Sequence, residues 1–196
     1  GGSGPGAGIS TNNFSTTRGV GGGGYGGAGG SGNSSFFPGQ AYGSITQPSD
    51  MGSGGGGIYT VVGGKGGGLM KIRARTIINN GQILSKGGAG LQQPSGWSYI
   101  CHSGGGSGGS ILLEVNEEIS GTGTIDASGG NANANGGGGG GGRIAIQCSG
   151  FDYWGSLKTL GGTGYRSGGN GSMYIKVGDD IITPAEFKSS GGDISD

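Results

Sequence analysis

Gly108-Gly109-Ser110-Ile111-Leu112-Leu113-Glu114-Val115, followed by Glu118-Ile119-Ser120-Gly121-Thr122-Gly123-Thr124-Ile125-Asp126-Ala127-Ser128-Gly129-Gly130, is the stretch on which the fold turns. Its apolar runs are short, rich in branched side chains and framed by Gly, which is how strands read. The period of two points Ile119 and Ile125 inward, and Thr124 and Asp126 outward. Gly121 and Gly123 make a corner between the strands, where a positive φ is needed. The same template opens at Gly66-Gly67-Gly68-Leu69-Met70-Lys71-Ile72 and runs to Gly87-Gly88. A third copy opens at Gly141-Gly142-Arg143-Ile144-Ala145-Ile146 and closes at Ser167-Gly168-Gly169. A fourth opens at Gly171-Ser172-Met173-Tyr174-Ile175-Lys176-Val177 and closes at Ser190-Gly191-Gly192.

Each unit is strand, Gly turn, strand and a Gly-Gly exit, with a core of about 20 residues, the scale of one rung in a repeat protein. One rung cannot bury its apolar side chains alone; stacking rungs pairs the strands in parallel around an Ile, Leu and Val interior. The pattern predicts an all-β, right-handed parallel β-helix (a solenoid) with long Gly-rich loops. Residues 58–196 supply the rungs with their insertions and residues 1–57 a glycine-rich N-terminal segment leading into them, one structural domain in all. The insertions at 19–32, 52–57, 104–109 and 136–142 admit two readings. They are flexible linkers, or loops packed as a polyglycine II-like layer, since extended Gly segments approach closely without Cβ atoms.

Composition sets the bounds. Of 196 residues 59 are Gly but only five are Pro, and the Gly clusters lack a Gly-X-Y period, which excludes collagen. No segment carries a helical period over ten or more residues. Eleven bases balance eleven acids. With no basic stripe to neutralise phosphates, nucleic acid is not an expected partner. No apolar run reaches the length of a bilayer span. A start at Gly1 without Met reads as a processed form or a segment of something larger.

In order, Tyr42-Gly43-Ser44-Ile45-Thr46-Gln47-Pro48-Ser49-Asp50-Met51 with Gly52 to Gly57, Asn80-Gly81-Gln82-Ile83 with Gly87-Gly88, Gly121 to Gly130, and the seven-Gly run into Arg143-Ile144-Ala145-Ile146 resemble the glycine-rich β-helix repeat of large secreted or surface proteins of bacteria, oomycetes and plants. The resemblance covers roughly residues 18–148. It implies a secreted, extracellular or cell-surface location and an architecture, and carries over no catalytic residue.

The side chains themselves point away from catalysis. Cys101 and Cys148 lie 47 positions apart, a spacing that fits no zinc or redox motif. They read either as a structural disulfide or as two buried thiols. His102 beside Cys101 would alternate faces with it in a strand, so a nucleophile pair is not expected and His102 reads as an exposed loop residue. The carboxylates Glu114, Glu117, Glu118, Asp126, Asp152, Asp179 and Asp180 are scattered, without the cluster that polysaccharide-cleaving enzymes use. No metal or cofactor site is expected. Asn13, Asn33 and Asn170 head Asn-X-Ser sequons, N-glycosylation sites if the chain is a eukaryotic glycoprotein. Phe36, Phe37, Trp97, Tyr99, Phe151, Tyr153 and Trp154 are clumped, and read either as glycan-stacking rings, as seals on the barrel ends or as interface contacts to a neighbouring subunit.

The leading expectation is therefore a non-enzymatic, extracellular structural protein. It self-assembles through its solenoid ends into a filament, appendage or surface coat, as a homo-oligomer with glycans as further candidate partners. An adhesin or carbohydrate-binding surface module is the alternative. A polysaccharide-active enzyme ranks lower, as does an ice-binding array, because Thr does not recur at a fixed rung position.

Overall fold

The computed structural model describes residues 2–11, 18–33, 37–93, 100–183 and 193–195. Its strands are, in chain order, β1 (Arg18–Gly19), β2 (Leu69–Ala74), β3 (Ile77–Ile78), β4 (Gln82–Leu84), β5 (Cys101–His102), β6 (Ser110–Val115), β7 (Glu118–Gly121), β8 (Thr124–Asp126), β9 (Arg143–Cys148), β10 (Gly150–Tyr153), β11 (Ser156–Lys158), β12 (Ser172–Val177), β13 (Asp180–Ile182) and β14 (Asp193–Ser195). They form a five-stranded sheet ordered β13-β12-β9-β6-β2, a four-stranded sheet β14-β11-β8-β4, a three-stranded sheet β10-β7-β3 and a pair β1-β5. All pairs are parallel except β12–β13. There Gly178, at φ +58, opens a two-residue hairpin loop that folds the chain back.

Parallel register puts like side chains side by side. Ile72, Leu113, Ile146 and Ile175 align across the five-stranded sheet. Ile77, Ile119 and Phe151 align across the three-stranded one, and Ile83, Ile125 and Leu157 across the four-stranded one. With Ile111, Val115, Ile144, Cys148 and Tyr153 they make one core, in which Ile119, Ile125, Ile144 and Leu157 are wholly buried. Gly121 turns the corner between β7 and β8 at φ +113.

The other face of the five-stranded sheet is also covered, since Leu112 and Ala145 are buried there. Its lid is the segment 42–51. The Ser110 hydroxyl donates to the Asp50 carbonyl at 2.6 Å and the Gln147 amide to the Thr46 carbonyl at 3.1 Å. Arg143 reaches the Tyr42 carbonyl from the same face at 2.6 Å.

The glycine segments are not loops on these sheets but a body of their own. Along 104–109 successive amides turn to three different neighbouring segments, and every third amide returns to the same one. Gly104 and Ser107 donate to Gly56 and Ser53, Gly105 and Gly108 to Gly137 and Gly140, and Gly106 and Gly109 to Gly88 and Ser85, at 2.8 to 3.0 Å. The amides of 137–142 do the same towards Val20 and Gly23, Arg166 and Gly169, and Gly130 and Ala127. A three-residue repeat is that of an extended helix whose amides all point outward. Such segments close on one another only where no Cβ intervenes. A Cβ at Gly105 would run into the Gly130 carbonyl oxygen, and one at Gly138 into that of Gly162. N-terminal segments are woven in, with Gly8 donating to Gly54 and Gly140 to Gly23. The amides of residues 137–142 are therefore expected to exchange with deuterium as slowly as those of β6 and β9; exchange at the rate of a free chain would refute the bonding described.

This corrects the expected right-handed parallel β-helix with emergent loops. The described residues hold four separate sheets of unequal size, no helix, one antiparallel pair and strands linked through a hydrogen-bonded glycine body. The physical reason lies in the connections. A β-helix needs each coil to close through short corners onto the next, whereas here the chain leaves the sheets between β4 and β6, and again between β8 and β9, to satisfy its backbone elsewhere. The third unit also holds β10 and β11, strands absent from the sequence-based alignment; the closing residues of the fourth unit, 187–192, lie outside the described residues.

Candidate interaction surfaces

β2, β3 and β4 follow one another in the chain and each is the last strand of its sheet, so three backbone edges end on one side of the molecule. The core opens there too, because Ile72, Ile77 and Ile83 are only partly covered, and Ile78 is 74% exposed. These three strands hold Lys71 and Arg73 and no carboxylate. The opposite side ends on β10, β13 and β14, which hold Asp152, Asp180 and Asp193 and no base. Lys71 and Arg73 lean on Glu114 of the neighbouring strand, Lys71 at 3.0 Å, and hold its carboxyl below the ordinary glutamate range. Arg75 meets Glu117 at 2.7 Å. Exposed pairs of this kind contribute little and exchange partners readily.

Asp126, expected to point outward, is buried under Lys86 at 3.1 Å. Burial works against its charge, but hydrogen bonds from Ser128 and Lys86 outweigh it, leaving the carboxyl below its usual range.

The cysteines do not pair. Cys101 lies in a small cluster with Val20, Ile58 and Val61, and Cys148 in the main core; both are free and buried. Burial pushes the Cys148 thiol up to about 11 and raises that of Cys101, so neither is an activated nucleophile. His102 is buried on β5 at 4% exposure, a correction to the exposed loop residue expected, and burial lowers its pKa. Among the described residues no three His, Cys, Asp or Glu side chains gather as a metal site. No described helix is long and apolar enough to cross a membrane.

The aromatics separate. Tyr153 is buried, and its hydroxyl accepts from the Asn79 amide at 2.9 Å, so it serves the core. Phe151 packs partly against that core, edge-on to Tyr153. Trp154 is exposed, its indole N–H donating to Asp152 at 2.7 Å, and Phe37 is exposed as well. Phe36, Trp97 and Tyr99 lie outside the described residues, as does Asn13. Asn33 accepts from the Gly19 amide at 2.8 Å, and exposed Asn170 from that of Gly161 at 3.0 Å.

Sequence reading missed the Arg143 cluster. Arg143, buried, donates to the Tyr42 carbonyl through two nitrogens and to the Ser172 hydroxyl at 2.7 Å, with its guanidinium 5.4 Å from the centre of the Tyr25 ring. Tyr25 in turn meets the Ser110 hydroxyl at 2.6 Å and packs against Tyr42. This is a clasp that holds the 42–51 lid on the sheet, with the Asp50 carboxylate and a cation–π contact to Tyr25 both favouring the buried charge. Its one sequence signal is a base directly after seven glycines.

No family model, curated protein or solved structure matches the chain. The surfaces must be read on their own chemistry.

Proposed function

We propose that this chain is a structural module of an extracellular or cell-surface assembly, joining copies of itself edge to edge. The observation that carries the reading is the pair of opposed edges: among the described residues three strands end their sheets on one side, carrying Lys71 and Arg73, and three on the other, carrying Asp152, Asp180 and Asp193. Unpaired edges are templates for another chain. Contact between unlike surfaces propagates where it does not close into a ring. Zero net charge offers little long-range repulsion against it. A body built of interlocked backbone, with few large side chains to rearrange, suits a spacer better than a catalyst.

Sedimentation velocity over a range of concentration and salt tests this. Association should rise with concentration, weaken as salt screens the edges, fall in the Lys71→Glu/Arg73→Glu double variant, and return when that variant is mixed with Asp152→Lys/Asp180→Lys. A strict monomer at high concentration and low salt would overturn the reading.

A further inference from the structure

At the bends of the glycine body, away from the strand edges, Ser31, Gly32, Asn33, Phe37, Tyr165 and Arg166 line a pocket of about 350 Å³. That is near the small end of the range for ligand pockets, which run from about 300 to 1,000 Å³. Its two aromatic rings are left to solvent, Phe37 at 73% exposure and Tyr165 at 53%. Neither has a core to seal. The backbone beneath them is fixed from several sides: Ile9 donates to the Phe37 carbonyl, Tyr165 to that of Gly136, Gly138 to that of Arg166, and Asn33 to that of Asn135. Asn33 is oriented further by accepting from the Gly19 amide.

We propose that this pocket binds a pyranose residue of a glycan. A pyranose has one face of C–H groups and a rim of hydroxyls. The C–H face matches an exposed aromatic ring, whose electron-rich surface attracts the weakly positive hydrogens. The hydroxyls match the forked donors of Arg166 and the hydroxyl of Ser31. A flat apolar ligand would leave the polar rim unused, and a bare anion the two rings. Because the rings stand on backbone already locked by hydrogen bonds, little ordering cost is incurred on binding. The site is independent of the proposed edge contacts, sharing no residue with them.

The test is saturation-transfer NMR, followed by titration, of the whole chain with methyl glycosides of glucose, galactose, mannose, N-acetylglucosamine and glucuronic acid. At least one should receive saturation on its ring C–H protons. Phe37→Ala and Tyr165→Ala should each weaken it by on the order of tenfold, the gain expected of one aromatic contact, while Tyr165→Phe should keep most of the affinity. Unchanged thermal unfolding of the variants establishes that they fold. No transfer to any of the five sugars overturns the proposal, as does binding that survives the Phe37→Ala/Tyr165→Ala double variant. A double variant that alters only sedimentation overturns it too, since the rings would then be a contact between copies. The edge variants at Lys71 and Arg73 should leave sugar binding intact, so the two readings fail separately.

Discussion

Gly139→Ala should destabilise the chain by about 3 kcal/mol or more, a large share of the 5–15 kcal/mol that holds a typical domain together. Gly139 donates to Gly130 and accepts from Gly162, which fixes its backbone on two sides. On the third side a Cβ would be driven into the Gly106 carbonyl oxygen and its carbon, both backbone atoms with no rotamer to yield. Relief requires segment 104–109 to move, and that segment is itself bonded to Gly56, Gly137 and Gly88. The cost is therefore a clash or several stretched hydrogen bonds, each contributing about 1 kcal/mol. Gly68→Ala is the matched control. Nothing lies within 4 Å of its Cβ position and its φ is not positive, so the change should fall within about 1 kcal/mol, with the loss of unfolded-state freedom favouring alanine. Urea unfolding of both variants reads the difference. Equal midpoints would mean that the glycine body is not close-packed.

The second large effect lies in the strands. Ile125→Ala should cost about 2–5 kcal/mol, the range for deleting a large buried aliphatic side chain. Ile125 is wholly buried on β8, flanked in register by Ile83 and Leu157. Neither neighbour can slide into the space without breaking its parallel ladder, so the cavity stays. Ile78→Ala, on the exposed edge of β3, should change stability by less than about 0.5 kcal/mol. Comparable losses in the two variants would show that the Ile83, Ile125 and Leu157 row is not the centre of the core.

The strands were legible because their side chains carry the period. Ile119 and Ile125 lie inward, and of the two glycines expected to need a positive φ at the corner, Gly121 takes it and Gly123 does not. β10 and β11 were not. Phe151, Tyr153 and Leu157 are their inward residues, but they are interleaved with Asp152, Trp154 and Ser156, and no Gly-Gly frame brackets them. The candidate sites were legible only in part. Phe37 was visible as an aromatic, but Tyr165 and Arg166 join it only because the glycine body folds two distant bends together. Cys101 and Cys148 could be named but not paired or separated, since pairing depends on which cluster each thiol enters.

By itself, then, the sequence determined that short Gly-framed apolar runs become strands, that none of the described chain is helical, and that the chain carries few charges in balance. Only the tertiary structure decided which glycine segment lies against which, that the lid 42–51 closes over Arg143, and that basic and acidic strands finish on opposite edges. The division has a physical cause. A strand's side chains announce its buried face along the chain. A glycine segment has no side chain, so its partners are chosen by backbone hydrogen bonds that every glycine offers alike, and these are settled only when the whole chain has closed around them.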